Sequence, residues 1–226
     1  MADTAPETTP CGEKFRVWAP DPGGPGQRAR LRAVRLPAPR AIVTFQRRLL
    51  GWYRRHGRDL PWRRTREPYR ILVSEIMLQQ TQVDRVLPKY RQFLQHYPTL
   101  RKLAAAPVED VRRLWYPLGY NIRPIRLHAI ACEAVARYRG RLPRDDEALR
   151  DLPGIGRYTS GAIRAFAFGQ DAAVLDTNVR RVLGRVFIGP RRRVRGEAAY
   201  WRLAQALVPA GRAYDFNQAL MDFGAT

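Results

Sequence analysis

An all-α fold, two helical lobes with a central cleft, is predicted by three features of this 226-residue chain. Apolar residues recur at three-to-four spacing in one segment after another. No stretch shows the strict alternation of a half-buried strand. Pro and Gly punctuate the segments at lengths typical of globular helices. The chain is long enough for one large or two small domains with a substantial core.

Taken in order, residues Met1 to Pro39 are rich in Pro, Gly, Thr and Arg, with Asp21-Pro-Gly-Gly-Pro-Gly26 near the middle. They read as a disordered basic tail, over 1–39. From Ala41, the residues Ile42, Phe45, Leu49, Trp52 and Tyr53 lie on one helical face that ends at His56-Gly57. Leu60-Pro-Trp-Arg63 reads as extended. Pro68-Tyr-Arg70 opens a helix through Ile71, Val73, Ile76 and Met77 to Gln80, and a further helix from about Gln82 to Tyr97 stops at Pro98. Another starts at Pro107-Val-Glu-Asp110 and breaks around Pro117-Leu-Gly-Tyr-Asn121. Arg126 to Arg139 is helical and ends at Gly140. Asp145 to Leu152 is short and stopped by Pro153-Gly154, and the next helix runs from Thr159. Asn178 to Val186, a basic break from Gly189, Glu197 to Leu207 and a last helix from Asp215 complete the reading. One lobe spans about 68–180, and the other joins 40–67 to 181–226.

Charge narrows the function. Lys and Arg total 41 against 20 Asp and Glu, for a formal net charge of +21, and Lys14, Lys89 and Lys102 are the only lysines. So basic a chain expects a polyanion, with nucleic acid the first candidate, although an Arg-rich composition with a solvated basic surface gives the same count. Cys11 and Cys132 make no metal-ligand spacing. No segment is long and apolar enough for a membrane span, and the N-terminus lacks the apolar core of a signal peptide, so a soluble intracellular protein is expected.

Two stretches carry candidate chemistry. In Leu152-Pro-Gly-Ile-Gly-Arg-Tyr158, the glycines of a tight turn between two helices supply unusual backbone angles. A turn of that kind aims unpaired N–H groups and a helix start at one place, which suits a phosphate. Asp176 follows in a short loop between the apolar Ala172–Leu175 and the next helix. In Ser74-Glu-Ile-Met-Leu-Gln-Gln-Thr-Gln-Val83, Glu75 stands among Val73, Ile76, Met77 and Leu78. Burial there would raise its pKa and keep it an acid near neutrality. Gln79 and Gln80 are neutral amides able to probe bases. The same block also reads as an amphipathic helix whose Glu and Gln face solvent. As a pair, Glu75 and Asp176 suit cleavage of a glycosidic bond, where an acid protonates the leaving group and a carboxylate meets the oxocarbenium-like sugar. Sequence spacing does not establish that the two groups meet.

From about Phe45 to Ala225 the chain resembles the A/G-specific adenine DNA glycosylases of the helix-hairpin-helix, endonuclease-III-like superfamily. The blocks that carry the resemblance are Leu60-Pro-Trp-Arg63, Ser74 to Val83, Leu118-Gly-Tyr120, Leu152-Pro-Gly-Ile-Gly156, Leu175-Asp-Thr-Asn-Val179 and Asn217-Gln-Ala-Leu-Met-Asp-Phe-Gly-Ala225. The resemblance implies a helix-hairpin-helix glycosylase fold and a monofunctional enzyme. It would remove adenine mispaired with 8-oxoguanine or guanine in double-stranded DNA, acting as a cytoplasmic, nucleoid-associated monomer. It implies that Glu75 protonates the adenine ring and later helps water attack, that Asp176 stabilises or traps the sugar cation, and that Tyr158 and Asn178 arrange these groups. Tyr158 stands where lyase-competent relatives carry a Schiff-base lysine. Trp62, Arg63, Leu78 and Val83 are implied to line the adenine pocket. Gln79 and Arg157, with Gln80 and Tyr120 wedging into the duplex and Gly154 and Gly156 gripping phosphate, are implied to bind DNA. The rivals are a thymine or uracil mismatch glycosylase of the same superfamily and a non-catalytic DNA-binding remnant.

Departures from the family pattern are Asn121, where a second aromatic is usual, and Thr177, where many relatives have Gly. The sequence stops at Thr226, where the family's four cysteines for a 4Fe-4S cluster would begin. No cofactor is expected in the chain as given, and a cluster would belong only to a longer one.

Overall fold

The computed structural model describes residues 36–189 and 196–226. Most of the predicted basic tail and much of the basic break after Gly189 lie outside the described residues. Those described form α-helices joined by turns, with no strand among them.

Helix α1 (Pro39–His56) places Pro in its first turn and Arg54, Arg55 and His56 in its last, each where the backbone favours it. Leu60 to Arg63 is not extended as expected. Pro61–Arg63 is a single 3-10 turn, closed by the Arg63 and Arg64 N–H groups on the Leu60 and Pro61 carbonyls. Helix α2 (Pro68–Leu78) is N-capped by Glu67, whose carboxylate accepts from the Tyr69 and Arg70 N–H groups. It stops at Leu78, two residues short of the expected end. Tyr69 and every residue from Ile71 to Met77 are buried. A helix buried on all sides belongs in the middle of a domain, and α2 packs against the 3-10 turn before it and against helices that follow it in the chain.

Helices α3 (Val83–His96), α4 (Leu100–Ala104), α5 (Val108–Trp115) and α6 (Ile122–Tyr138) complete the wall around it. The five-residue α4 was not foreseen. Thr99 caps it by accepting from the Lys102 N–H, and one turn is too short to show a periodicity. Helix α6 starts four residues before the expected Arg126, because Pro124 falls in its first turn, where a missing N–H does no harm. Helices α7 (Asp146–Arg150) and α8 (Arg157–Phe166) form the hairpin. Helix α9 (Thr177–Leu183) runs into a π turn, Gly184–Ile188, and α10 (Glu197–Leu207) and α11 (Ala213–Ala225) follow.

One core gathers Phe93, Leu103, Trp115, Leu127 and Ile130 from the middle of the chain. A second joins Leu49 and Leu50 of α1 to Val179, Leu183, Leu203 and Phe216. A smaller cluster of Ile71, Ala162, Phe166, Val174 and Ala213 bridges α2, α8, the segment before Asp176 and α11. That seam is where the predicted catalytic residues arrive.

Candidate active site

Glu75 sits at mid-helix on α2, 4% exposed, with Ile71 to Met77 buried around it. Its Oε2 has no hydrogen-bond partner. Burial raises its pKa to about 7. The Tyr158 hydroxyl, acting as a hydrogen-bond donor to the carboxyl, pulls the other way. The Asp176 charge adds to the rise and the Arg63 charge opposes it. Tyr158, in the first turn of α8, has its own pKa driven up by burial and by the negative fields of Glu75 and Asp176, so it remains a phenol and a donor. Glu75 and Tyr158 both feel the Asp176 charge.

The route to Asp176 is a buried extended segment, Ala172 to Leu175. Without a strand ladder, its backbone is satisfied by side-chain amides. Asn217 of α11 accepts from the Val174 N–H at 3.1 Å and donates to the Ala172 and Ala213 carbonyls at 2.9 and 2.8 Å. Gln205 of α10 accepts from the Ala173 N–H at 3.0 Å. Helix α8 crosses so closely that a Cβ on Gly161 would lie 2.4 Å from the Ala173 carbonyl oxygen, so only glycine lets Tyr158 and Asp176 converge. Asp176 then N-caps α9, accepting from the Val179 N–H at 2.7 Å. Partial burial raises its pKa, while the N–H groups of Val179 and Asn178 and the charge of Arg181 favour the carboxylate. The positive end of α9 acts in the same sense. Asn178, in the first turn of α9, accepts from Arg181 at 3.0 Å.

Of the two turn glycines only Gly154 has the unusual backbone angle expected, and Gly156 is ordinary extended backbone. Gly154 adopts φ +81°, which side chains rarely tolerate, and Gly156 opens α8 with nothing within 4 Å of where a Cβ would stand. Buried Ile155 anchors the turn. Ser160 donates to Asp146 at 2.6 Å and Arg164 approaches the same oxygen at 3.3 Å, clamping α7 to α8. Arg157 stays exposed, its guanidinium 4.3 Å from the Trp201 ring centre.

Gln80 and Tyr120 are exposed and hold left-handed backbone angles, φ +56° and +50°. Such strain in non-glycine residues persists only where the surroundings impose it. Gln79, beside Gln80, is half-buried. The pocket-lining set is divided. Leu78 and Val83 are half-buried at the rim of the core. Trp62, 5% exposed, packs edge-to-face on Tyr90 as a core residue. Arg63 reaches Glu75 only through its field, because its guanidinium makes a two-pronged pair with Asp222 at 2.7 and 2.8 Å.

Three residues that hold these parts in place were not foreseen as site residues, namely Asp222, Asn217 and Arg123, which donates to carbonyls at the end of α2. Buried polar groups inside the apolar pattern of α11 were the available signal for the first two. Among the described residues no group of three or more His, Cys, Asp or Glu could hold a metal ion. No described helix is long and apolar enough to cross a membrane.

Comparison with known proteins places this geometry. A family model described as HhH-GPD superfamily base excision DNA repair protein matches residues 73–204, which contain Glu75, Tyr158 and Asp176. Adenine DNA glycosylase of Homo sapiens is 47% identical over 197 residues, 82% of this chain, and the chain spans only 36% of that relative's length. Thymine/uracil-DNA glycosylase of Methanothermobacter thermautotrophicus is 38% identical over 80% of this chain and 83% of its own length. The solved structure of a thermostable thymine-DNA glycosylase superposes with a TM-score of 0.77 at 36% identity, covering 82% of this chain and 87% of that one.

Proposed function

Given that the chain belongs to the HhH-GPD superfamily of base excision DNA repair proteins, we propose that it is a monofunctional DNA glycosylase. Its proposed reaction is hydrolysis of the N-glycosidic bond of adenine mispaired with 8-oxoguanine or guanine in duplex DNA. The observation that carries this reading is the buried Glu75 carboxyl, raised to about 7 and coupled to Asp176 and Tyr158. Adenine is a poor leaving group as an anion and needs a proton on its ring. A carboxylic acid half-protonated near neutrality supplies one.

Glu75 donates its proton to a ring nitrogen of the extruded adenine, and the bond from C1′ to the base breaks with its electron pair leaving on the base. The Asp176 carboxylate faces the oxocarbenium-like sugar and stabilises its charge. Glu75, now ionised, takes a proton from water as its oxygen bonds to C1′, which restores the acid. Tyr158 holds Glu75 through its hydroxyl and offers no amine, so no imine forms and the strand stays uncut. Gln80 and Tyr120 enter the duplex beside the mispair, and the Gly154–Gly156 turn holds backbone phosphate. No step is assigned to an iron–sulfur cluster.

The second reading, removal of thymine or uracil opposite guanine, is favoured by the likeness to the thymine/uracil relative and to the thymine-DNA glycosylase structure. Duplexes carrying A opposite 8-oxoguanine, A opposite G, T opposite G and U opposite G, incubated with the protein and then cleaved with alkali, separate the two. The adenine reading expects strand breaks at the first two. Breaks confined to the last two would replace it with the pyrimidine reading.

A further inference from the structure

We propose that Arg123 is a positioning residue that locks Gln80 and Tyr120 into one rigid wedge, acting on the duplex only through them. The inference rests on the glycosylase reading and adds a residue that the reaction scheme leaves out. Arg123, in the first turn of α6, is 3% exposed. Its Nη1 donates to the carbonyls of Ile76 at 3.2 Å, Met77 at 2.9 Å and Gln79. Its Nη2 donates to Thr81 Oγ1 at 3.0 Å and to the carbonyls of Leu118 and Gly119 at 3.0 and 3.1 Å. One prong therefore closes the end of α2, and the other also reaches the loop that enters α6.

The two strained residues stand in the same relation to it. Gln79 immediately precedes Gln80, Gly119 immediately precedes Tyr120, and Arg123 grips the carbonyl of each predecessor. The guanidinium carbon also lies 5.2 Å from the Tyr120 ring centre. All six acceptors are carbonyl or hydroxyl oxygens, so the charge is spent on backbone geometry and not on a carboxylate. The first of these groups are the unpaired carbonyls at a helix C-terminus, where a cation is favoured. Only a planar fork serves two loops at once, because a lysine ammonium is a single point. A few residues further along α6, the Arg126 side chain passes under Gly154, 2.9 Å from where a Cβ would stand, so the start of α6 also borders the phosphate turn.

The test uses the full chain and a duplex with 2-aminopurine, a base that brightens when unstacked, placed opposite guanine. Stopped-flow fluorescence follows extrusion. Arg123→Lys is expected to keep the helical circular dichroism and the salt-dependent affinity for undamaged duplex while slowing the fluorescence rise about tenfold or more. Thr81→Val, which removes one acceptor on the Gln80 side, is expected to slow it less, in the same direction. A folded Arg123→Lys that matches wild type overturns the proposal. If Arg123→Lys does not fold, a wild-type rise from Thr81→Val overturns it. No rise with wild type overturns the adenine reading as well, and is told apart because the parent protein itself fails.

Discussion

Glu75 and Asp222 are buried almost equally, at 4% and 2% exposure, yet their carboxyls are driven in opposite directions. Burial acts on both as the largest influence and pushes both up. At Asp222 it is overcome, because Arg63 donates twice to the carboxylate, Arg58 donates through its backbone N–H at 3.0 Å and its Nε at 2.6 Å, and the pKa falls below the usual range. Glu75 has one unpartnered oxygen, a tyrosine donor and a second acid nearby, so it rises to about 7. Depth alone does not make an acid. The surrounding counter-charge decides whether a buried carboxyl holds structure or moves protons.

If that contrast is right, the two carboxyls fail in different ways when removed. The largest effects belong to the reaction. Glu75→Gln and Asp176→Asn are each expected to lower single-turnover excision about 10²–10⁴-fold while leaving duplex affinity within a few-fold, as gel shift and quenched-flow assays would read. Equal loss of binding and rate would make both residues structural. Glu75→Gln carries a second expectation. A carboxyl whose folded pKa lies above its unfolded value supports folding fully at low pH and withdraws that support as pH rises through about 7. The amide mimics the protonated form, so this variant should melt higher than wild type at pH 8 and equally at pH 4.

Asp222→Asn sits at the other pole. It leaves Arg63, 7% exposed at its side chain, without its partner, and is expected to lose about 3–5 kcal/mol in denaturant unfolding. Because the Asp222 pKa is lowered, its stabilisation is full above the ordinary carboxylate range and fades as pH falls below it, so the variant's deficit should shrink in acid. A deficit that grows in acid would contradict the assignment. Smaller again is Tyr158→Phe, expected to slow excision about tenfold and to move the alkaline limb of the pH profile upward, since the lost hydroxyl was lowering the Glu75 pKa. The smallest effect is Ser160→Ala, which removes the 2.6 Å bond to Asp146 and should cost about 1 kcal/mol in thermal melts without altering the profile.

The parts of the molecule legible in its sequence were those written locally. Turn glycines at 154 and 156, the break before Asp176, and Glu75 inside an apolar run each announce themselves within a few residues. The parts that were missed depend on distant partners. Asp222 bonds across more than 150 residues to Arg58 and Arg63, and Arg123 across more than 40 to the end of α2. No helical period records such pairs. Trp62 shows the same dependence. Its block implied a pocket wall, and the 3-10 turn that replaces the expected extended stretch packs it edge-to-face on Tyr90. Arg63 was likewise expected to line the pocket, and its fork is held by Asp222 instead.

The most direct test is the pH dependence of single-turnover adenine excision by the wild-type protein, measured on an A opposite 8-oxoguanine duplex from pH 5 to 9. With Glu75 as the proton donor, the rate is flat or falls gently in acid and drops about tenfold per unit well above pH 7. A rate that climbs steadily through pH 7 would mean that the ionised carboxylate is the working form, and would contradict the account.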